Sequence, residues 1–323
     1  MTKLYIVIPC FNEDSVLLET SKRLKEKMQK LMTENIITKD SKVIFVDDGS
    51  TDSTWELITE IHRNDKMFSG CKLSRNRGHQ NALLSGLDCA KGKCDAVISM
   101  DSDLQDDIEA IDQFIKKYEE GNEIVYGVRS SRKKDSFLKS RTAKAFYKIM
   151  SLMGAEIVPN HADYRLLGSK ALEALFEFNE VNLFLRGIVP LIGYKSARVY
   201  YERKERFAGE SKYPVKKMIS FALDGITSFS IKPLKMISSL GIIFVVVSGI
   251  MLLYSLISYF TGHSVSGWAS LITSIWAIGG LQLLAIGIIG EYIGKVFLET
   301  KSRPRYIIEE FLDEDTNTKN NFV

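Results

Sequence analysis

The chain has 323 residues, enough for about two domains, and a formal net charge of +3. So small a positive balance leaves no footprint for a nucleic-acid partner, and none is expected. Its four cysteines (Cys10, Cys71, Cys89 and Cys94) show no C-x-x-C spacing and read as ordinary thiols of a reducing compartment.

The first apolar stretch, Leu4–Ile8, is too short for a signal peptide, and Pro9, Asn12, Glu13 and Asp14 follow at once. It reads instead as a strand. Further strands are predicted at Val43–Val46, Cys71–Leu73, Ala96–Met100 and Ile124–Tyr126. Between them the patterning predicts helices over Ser15–Leu31, Thr54–Arg63, Gln80–Ala90 and Ile108–Glu120, with Ser53 and Glu56 as a capping box for the second. Such alternation argues for an α/β domain with a mostly parallel sheet, whose ligands bind at the carboxyl ends of the strands. Asn12-Glu13, Asp47-Asp48, Asp101-Ser102-Asp103 and Arg129 all fall just after predicted strands, so they point to one rim.

Beyond the strands, Ser136–Met153 interleaves Lys139, Arg141, Lys144 and Lys148 with apolar residues, and Tyr213–Lys232 follows Lys216 and Lys217 with an apolar helical pattern. Both read as interfacial amphipathic helices for an anionic leaflet. Two charge-free runs come next, Met236–Tyr259 and Trp268–Gly290. Each exceeds the roughly 20 residues a helix needs to cross a bilayer. Lys232 and Lys235 precede the pair, Lys295, Lys301, Arg303 and Arg305 follow it, and the Phe260–Gly267 loop carries no lysine or arginine. Positive-inside bias therefore puts both termini and the catalytic domain in the cytoplasm. Tyr259, Trp268 and Tyr292 sit at interfacial positions, Gly290 and Gly294 make a small-xxx-small pattern, and Asp313–Val323 is a polar tail. The expected domains are a catalytic domain over 1–212, an interfacial helix over 213–235, two spans within 236–293 (about 236–259 and 268–290) and a cytoplasmic tail over 294–323.

Several chemistries are absent. No G-x-G-x-x-G follows the first strand, no G-x-S-x-G occurs, the Gly86–Lys93 stretch lacks P-loop glycine spacing, and His62, His79, His161 and His263 are scattered. Carboxylates remain. Asp101 and Asp103, two apart after an apolar strand, would share a face if extended and so hold a hard divalent cation with a ligand's diphosphate, Gln105 adding an oxygen. A solvated loop or helix cap accounts for D-x-D equally simply. Asp48, in Asp47-Asp48-Gly49-Ser50-Thr51-Asp52, could accept from a ribose or uracil, or merely serve a turn. Arg129, Arg206 and Lys212, the last two around Ala208–Ser211, could clamp phosphates.

These motifs occur in a characteristic order: Pro9-Cys-Phe11-Asn12-Glu13, Val46–Asp52, Met100–Gln105, Gly127-Val-Arg129 and Arg206–Lys212, closed by Gly290–Tyr306. The set resembles glycosyltransferase family 2, in particular the polyprenyl-phosphate glycosyltransferases, across Tyr5–Ile308. The resemblance implies a GT-A fold, a Rossmann-like nucleotide-sugar domain. It implies that Pro9, Phe11, Glu13, Val46 and Asp48, with Asp101, Ser102, Asp103, Arg206 and Lys212, bind the nucleotide sugar. Phe11 stands where a tyrosine is common. Asp101, Asp103 and Gln105 would hold Mg²⁺ or Mn²⁺, Arg129, Arg141 and Arg206 would bind lipid phosphate, and Asp163 would lie near the reacting sugar. Asp103, Asp163 and Arg129 are the implied catalytic residues. His79, in Arg75–Gln80, reads as a helix-start residue rather than a pocket residue.

The resemblance further implies an inverting transfer from a UDP-linked glucose or N-acetylglucosamine to undecaprenyl phosphate, in a multi-pass homo-oligomer of the bacterial inner membrane. A processive polysaccharide synthase would need more spans and a Q-x-x-R-W motif, and Trp55, Trp268 and Trp276 lie in no such context. A non-catalytic nucleotide-sugar sensor would not need an intact D-x-D and basic loop.

Overall fold

The computed structural model describes residues 1–130, 161–180, 185–202, 232–261 and 267–313. Arg141, Arg206, Lys212 and both expected interfacial stretches (apart from Lys232) lie outside them. The first compact unit takes in the sheet and residues 303–313; the second includes the long C-terminal helices.

The predicted strands and helices form in register with the alternation. β1 (Leu4–Cys10), β2 (Lys42–Asp47), β3 (Phe68–Leu73), β4 (Ala96–Ser99) and β5 (Ile124–Arg129) alternate with α1 (Asp14–Thr33), α2 (Thr54–Asn64), α3 (His79–Ala90) and α4 (Ile111–Glu119). Every residue of β1 and β4 is buried, as strands covered on both faces require. Pairing is parallel from β3 through β2 and β1 to β4. The chain thus runs outward from β1 to β3 and returns through α3 to β4 on β1's other side. That reversal opens a crevice at the carboxyl ends of β1 and β4, the position where such sheets bind ligands.

Three later strands complete the sheet, none of them expected. β6 (His161–Gly168) inserts antiparallel between β4 and β5, pairing Ser99 with Arg165 and Val128 with His161. Being antiparallel, it brings its beginning, not its end, to the carboxyl rim of β4. After α5 (Ser169–Phe176) and α6 (Leu185–Leu191), β7 (Ser196–Tyr201) pairs parallel with β5. The full order is β7-β5-β6-β4-β1-β2-β3-β8.

β8 (Ile308–Leu312) covers the edge of β3 in antiparallel register, far along the chain from it. Its flanks are tied down as well: Tyr306 donates to Asp88, Arg305 to the carbonyl of Phe178, and Asp313 pairs with Lys42 and Lys93. Residues 308–312 are therefore sheet rather than tail.

The Ser53–Glu56 capping box does not form. Ser53 sits at the N-cap but its hydroxyl donates to Asp14, while Asp52 accepts from the Thr54 amide and hydroxyl. The α2 start is thereby stapled to the α1 start, which holds two rim loops together.

α3 lies close against β1 and β2 because Gly86 has no side chain. A Cβ there would stand 2.4 Å from a methyl of Val7 and 2.6 Å from one of Val46. Neither β-branched side chain can swing away within a packed sheet. Gly86→Ala is expected to destabilise the protein by about 1–3 kcal/mol through overpacking, read as a lowered urea midpoint with unchanged slope.

α7 (Lys232–Phe260) and α8 (Trp268–Lys301) are the two apolar runs, both helical as expected; α8 continues past the predicted boundary at 294. Ile242, Leu253, Ile257, Leu283 and Ile286 are each more than half exposed. The Ala277–Lys301 part of α8 is long and apolar enough to cross a membrane.

Candidate active site

The rim loops are assembled from the inside out. Asn12 adopts a left-handed backbone (φ 55°), and its side-chain oxygen accepts from the amide and hydroxyl of Thr51, while its own amide donates to Ser50. The loop after β1 is thus bonded to the loop after β2. Asp48 extends the chain of contacts: its carboxylate accepts from the amides of Arg77 and Gly78, at 2.7 and 2.9 Å. Burial nevertheless raises the Asp48 pKa, against the pull of those two amides. Gly49 (φ +68°) permits the approach, since a Cβ there would lie 2.6 Å from the Asn76 amide. The outcome is that His79, the first residue of α3, is delivered to the crevice.

Asp101-Ser102-Asp103 is not an extended segment. β4 ends at Ser99, and the three residues form a turn that Leu104 closes in a left-handed backbone (φ 56°) with its side chain buried. The Thr20 hydroxyl of α1 donates to the Ser102 carbonyl, and an Asp103 oxygen accepts from the Gln105 amide. A non-glycine residue held in this conformation costs about 1–3 kcal/mol and marks a turn that its surroundings dictate. Burial raises the pKa of Asp101; His79 opposes the shift, and the charges of Asp163 and Asp103 add to it. Mutually repelling, partly desolvated carboxylate oxygens suit a hard divalent cation. Among the described residues no three His, Cys, Asp or Glu side chains gather as a complete metal site. Asp101 and Asp103 are two carboxylates of the kind that could contribute oxygens to a divalent cation, with further ligands needed to complete a site.

Asp163, near the start of β6, is the centre of a charged cluster. Arg186 grips it with two nitrogens, Nε to Oδ1 at 3.2 Å and Nη2 to Oδ2 at 2.8 Å, and Arg165 bonds Oδ1 from the other side. Burial alone would raise its pKa, but Arg186 and Arg165 outweigh it and hold the carboxyl far below the usual carboxylate range. His79 Nε2 stands 3.6 Å from Asp101 and 3.8 Å from Asp163. His79 is thus the first residue of α3, as expected, and also lies beside Asp101 and Asp163.

Arg129 ends β5 on the same rim. Its Nε reaches the Tyr201 hydroxyl, which donates to Asp106 at 2.6 Å, and its Nη2 lies 3.8 Å from Asp106. Burial, then the charge of Asp101, pushes Asp106 up to about 6. Tyr201 is itself seated edge-on against Tyr164, at 5.3 Å between ring centroids. This network fixes Arg129 beside the D-x-D turn.

The remaining expected residues divide by exposure. Phe11 is exposed and Glu13 half-buried at the rim. Pro9 and Val46 are buried in their strands, with Val46 turned to α3 at Gly86, and Ser102 is buried in the turn. All four cysteines are unbonded and buried, with Cys71 and Cys89 sulfurs 3.7 Å apart. Arg186 was missed. Its signal was a lone cation in the apolar stretch Leu183–Val189.

A Rossmann-like sheet with a D-x-D turn at the switch point defines the GT-A class of nucleotide-sugar glycosyltransferases. The chain belongs to glycosyl transferase family 2, whose model matches residues 5–176, more than half of its length. It is 55% identical over 306 residues to an uncharacterized glycosyltransferase, YkoT, of Bacillus subtilis, covering 95% of this chain and 91% of that one. It is 38% identical over 309 residues to a bactoprenol glucosyl transferase of Shigella phage SfX, covering 95% and 99%. A prophage bactoprenol glucosyl transferase homolog of Escherichia coli is 37% identical over 312 residues, covering 95% and 98%. The family resemblance carried by the motifs is therefore correct, and the enzyme class, a hexosyltransferase, stands with it.

Proposed function

We propose that this protein transfers a hexose, glucose in the first instance and N-acetylglucosamine in the second, from a UDP-linked donor to undecaprenyl phosphate at the cytoplasmic face of the bacterial inner membrane. The observation that carries this reading is the extent of the similarity. The relatives named bactoprenol glucosyl transferases match 95% of the chain, taking in the apolar helices as well as the site.

A polyprenyl acceptor cannot leave the bilayer, so its transferase must work at the headgroup plane. α7 and α8 supply an anchor. The sheet precedes them and resumes at β8, so the chain leaves and returns on one side. That return supports an even number of crossings, a two-helix hairpin with both flanks cytoplasmic, as the lysine and arginine bias requires. A Cβ at Gly290 or Gly294 would meet no atom within 4 Å. This open stripe favours packing between copies, as a homo-oligomer would use it.

In the reaction, a phosphate oxygen of the lipid attacks the anomeric carbon opposite the diphosphate. The new carbon–oxygen bond forms as the bond to the diphosphate breaks, and the configuration inverts. A phosphate monoester with a second pKa near 6 is already largely dianionic at neutral pH, so no strong general base is needed. Asp163, held ionised by two arginines, is suited to positioning rather than to taking a proton. Phe11, Glu13 and Asp48 receive the nucleoside, with Pro9, Val46 and Ser102 beneath them. Asp101 and Asp103, with Gln105, would hold Mg²⁺ or Mn²⁺, which would supply charge neutralisation for the leaving diphosphate. Arg129, with Arg141, Arg206 and Lys212 outside the described residues, contacts donor or acceptor phosphate.

The test incubates membranes containing the protein with undecaprenyl phosphate, Mg²⁺ and one labelled donor at a time: UDP-glucose, UDP-N-acetylglucosamine, UDP-galactose or GDP-mannose. The expected result is mild-acid-labile label in the organic phase from one UDP donor, abolished by EDTA. Tight UDP-sugar binding with no lipid product from any donor would overturn the reading in favour of a sensor.

A further inference from the structure

Arg186 is a charged residue at the centre of the site to which the reaction above gives no role. Its surroundings define one. Asp163 carries a single negative charge and is shared by two guanidiniums. Of these, the Arg165 side chain is 3% exposed and that of Arg186 is 39% exposed. Arg165 is thus the internal partner, bonded also to the Leu185 carbonyl, and Arg186 is the more exposed one.

Asp163 and the Gln80–Leu185 bond help set the position of Arg186. Asp163 grips its Nε and Nη2 edge. The Gln80 side chain of α3 accepts from the Leu185 amide, pinning the start of α6 to the start of α3. His79, the neighbour of Gln80, lies between Asp163 and Asp101, with 43% of its side chain exposed. The contacts therefore run in a row from Arg186 through Asp163 and His79 to the D-x-D carboxylate Asp101, beside which the proposed transfer brings a phosphate. A guanidinium gripped along one edge is pre-oriented, and its planar fork matches phosphate oxygens.

We infer that Arg186, oriented by the carboxylate of Asp163, is a phosphate-binding residue of this site, taking oxygens of a phosphate monoester or diphosphate. The inference rests on the transfer reaction proposed above and assigns Asp163 a positioning role within it. Two sources share this chemistry, the acceptor lipid phosphate and the donor diphosphate.

The experiment uses the full chain purified in detergent. Affinities for UDP with Mg²⁺ and for farnesyl phosphate are measured for wild type, Arg186→Ala and Arg186→Lys, with thermal midpoints alongside. Arg186→Ala is expected to weaken one probe by about tenfold or more with its midpoint close to wild type, and Arg186→Lys to recover part of the loss by charge without the fork. Loss on farnesyl phosphate assigns the acceptor, and loss on UDP the donor; either supports the inference. Unchanged affinity for both probes overturns it. So does an equal loss in Ala and Lys variants accompanied by a lowered midpoint, which is the behaviour of a purely structural ion pair. Sugar transfer by wild type is run in parallel. Its absence counts against the transfer reading alone, because the binding measurements need no turnover.

Discussion

Asp103→Asn is expected to lower kcat/KM by about 10³-fold or more, roughly 4 kcal/mol of transition-state stabilisation. The substitution is chosen because it removes charge with little else. An Asp103 oxygen accepts from the Gln105 amide, and asparagine keeps an oxygen that can do the same. The turn is also held by the Thr20 bond to Ser102 and by buried Leu104, neither of which involves the carboxylate charge. The thermal midpoint in EDTA should therefore stay near that of wild type, while Mn²⁺ affinity measured with UDP present falls in step with turnover. Activity near wild type at saturating Mg²⁺ would show that Asp103 does not hold the cation.

Asp163→Asn is expected to damage both stability and catalysis. Arg165 is almost wholly buried and depends on Asp163 for its ion pair. Removing one partner of a buried pair leaves the other charge uncompensated, at about 3–5 kcal/mol. The same change releases the grip on Arg186, so kcat/KM should fall by about 10²-fold or more in the fraction that remains folded. The pH profile separates this from loss of a base. A carboxyl held far below its ordinary range adds stability that is present above the unfolded carboxyl pKa, near 3.9, and is lost only as pH falls through its lower folded value. It stays ionised throughout the neutral range. The wild-type kcat/KM profile between about pH 5.5 and 9 should thus owe no limb to Asp163, and the Asn variant should keep the profile's shape at reduced height. A limb that vanishes with the substitution would restore Asp163 as a proton acceptor.

What could be read along the chain was whatever depends on near neighbours. Strand-helix alternation through β5 follows from local apolar patterning, and the elements formed within a few residues of their expected bounds. The loops after β1, β2 and β4 and Arg129 at the end of β5 meet at one rim because parallel strands all end on the same side. The failures came where local pattern met other constraints. The Ser53 capping box looked sound until Asp14 competed for the hydroxyl. The D-x-D pair looked extended until Leu104 turned the backbone.

By itself, then, the sequence determined the α/β class, the carboxylates at the strand ends, the two long apolar helices and the family. It could do so because each rests on contiguous residues or on the order of short motifs. The tertiary structure alone decided how the charges are paired. Arg186 and Asp163 are 23 residues apart, Gln80 and Leu185 105, and Tyr201 and Asp106 95. The pairing of Asp163 exists because β6 enters the sheet antiparallel and carries its first residues to the rim of β4. The direction of an inserted strand is set by packing across the whole sheet, and no local pattern records it. The same holds for β8, whose five residues become a strand only where the open edge of β3 offers its amides and carbonyls.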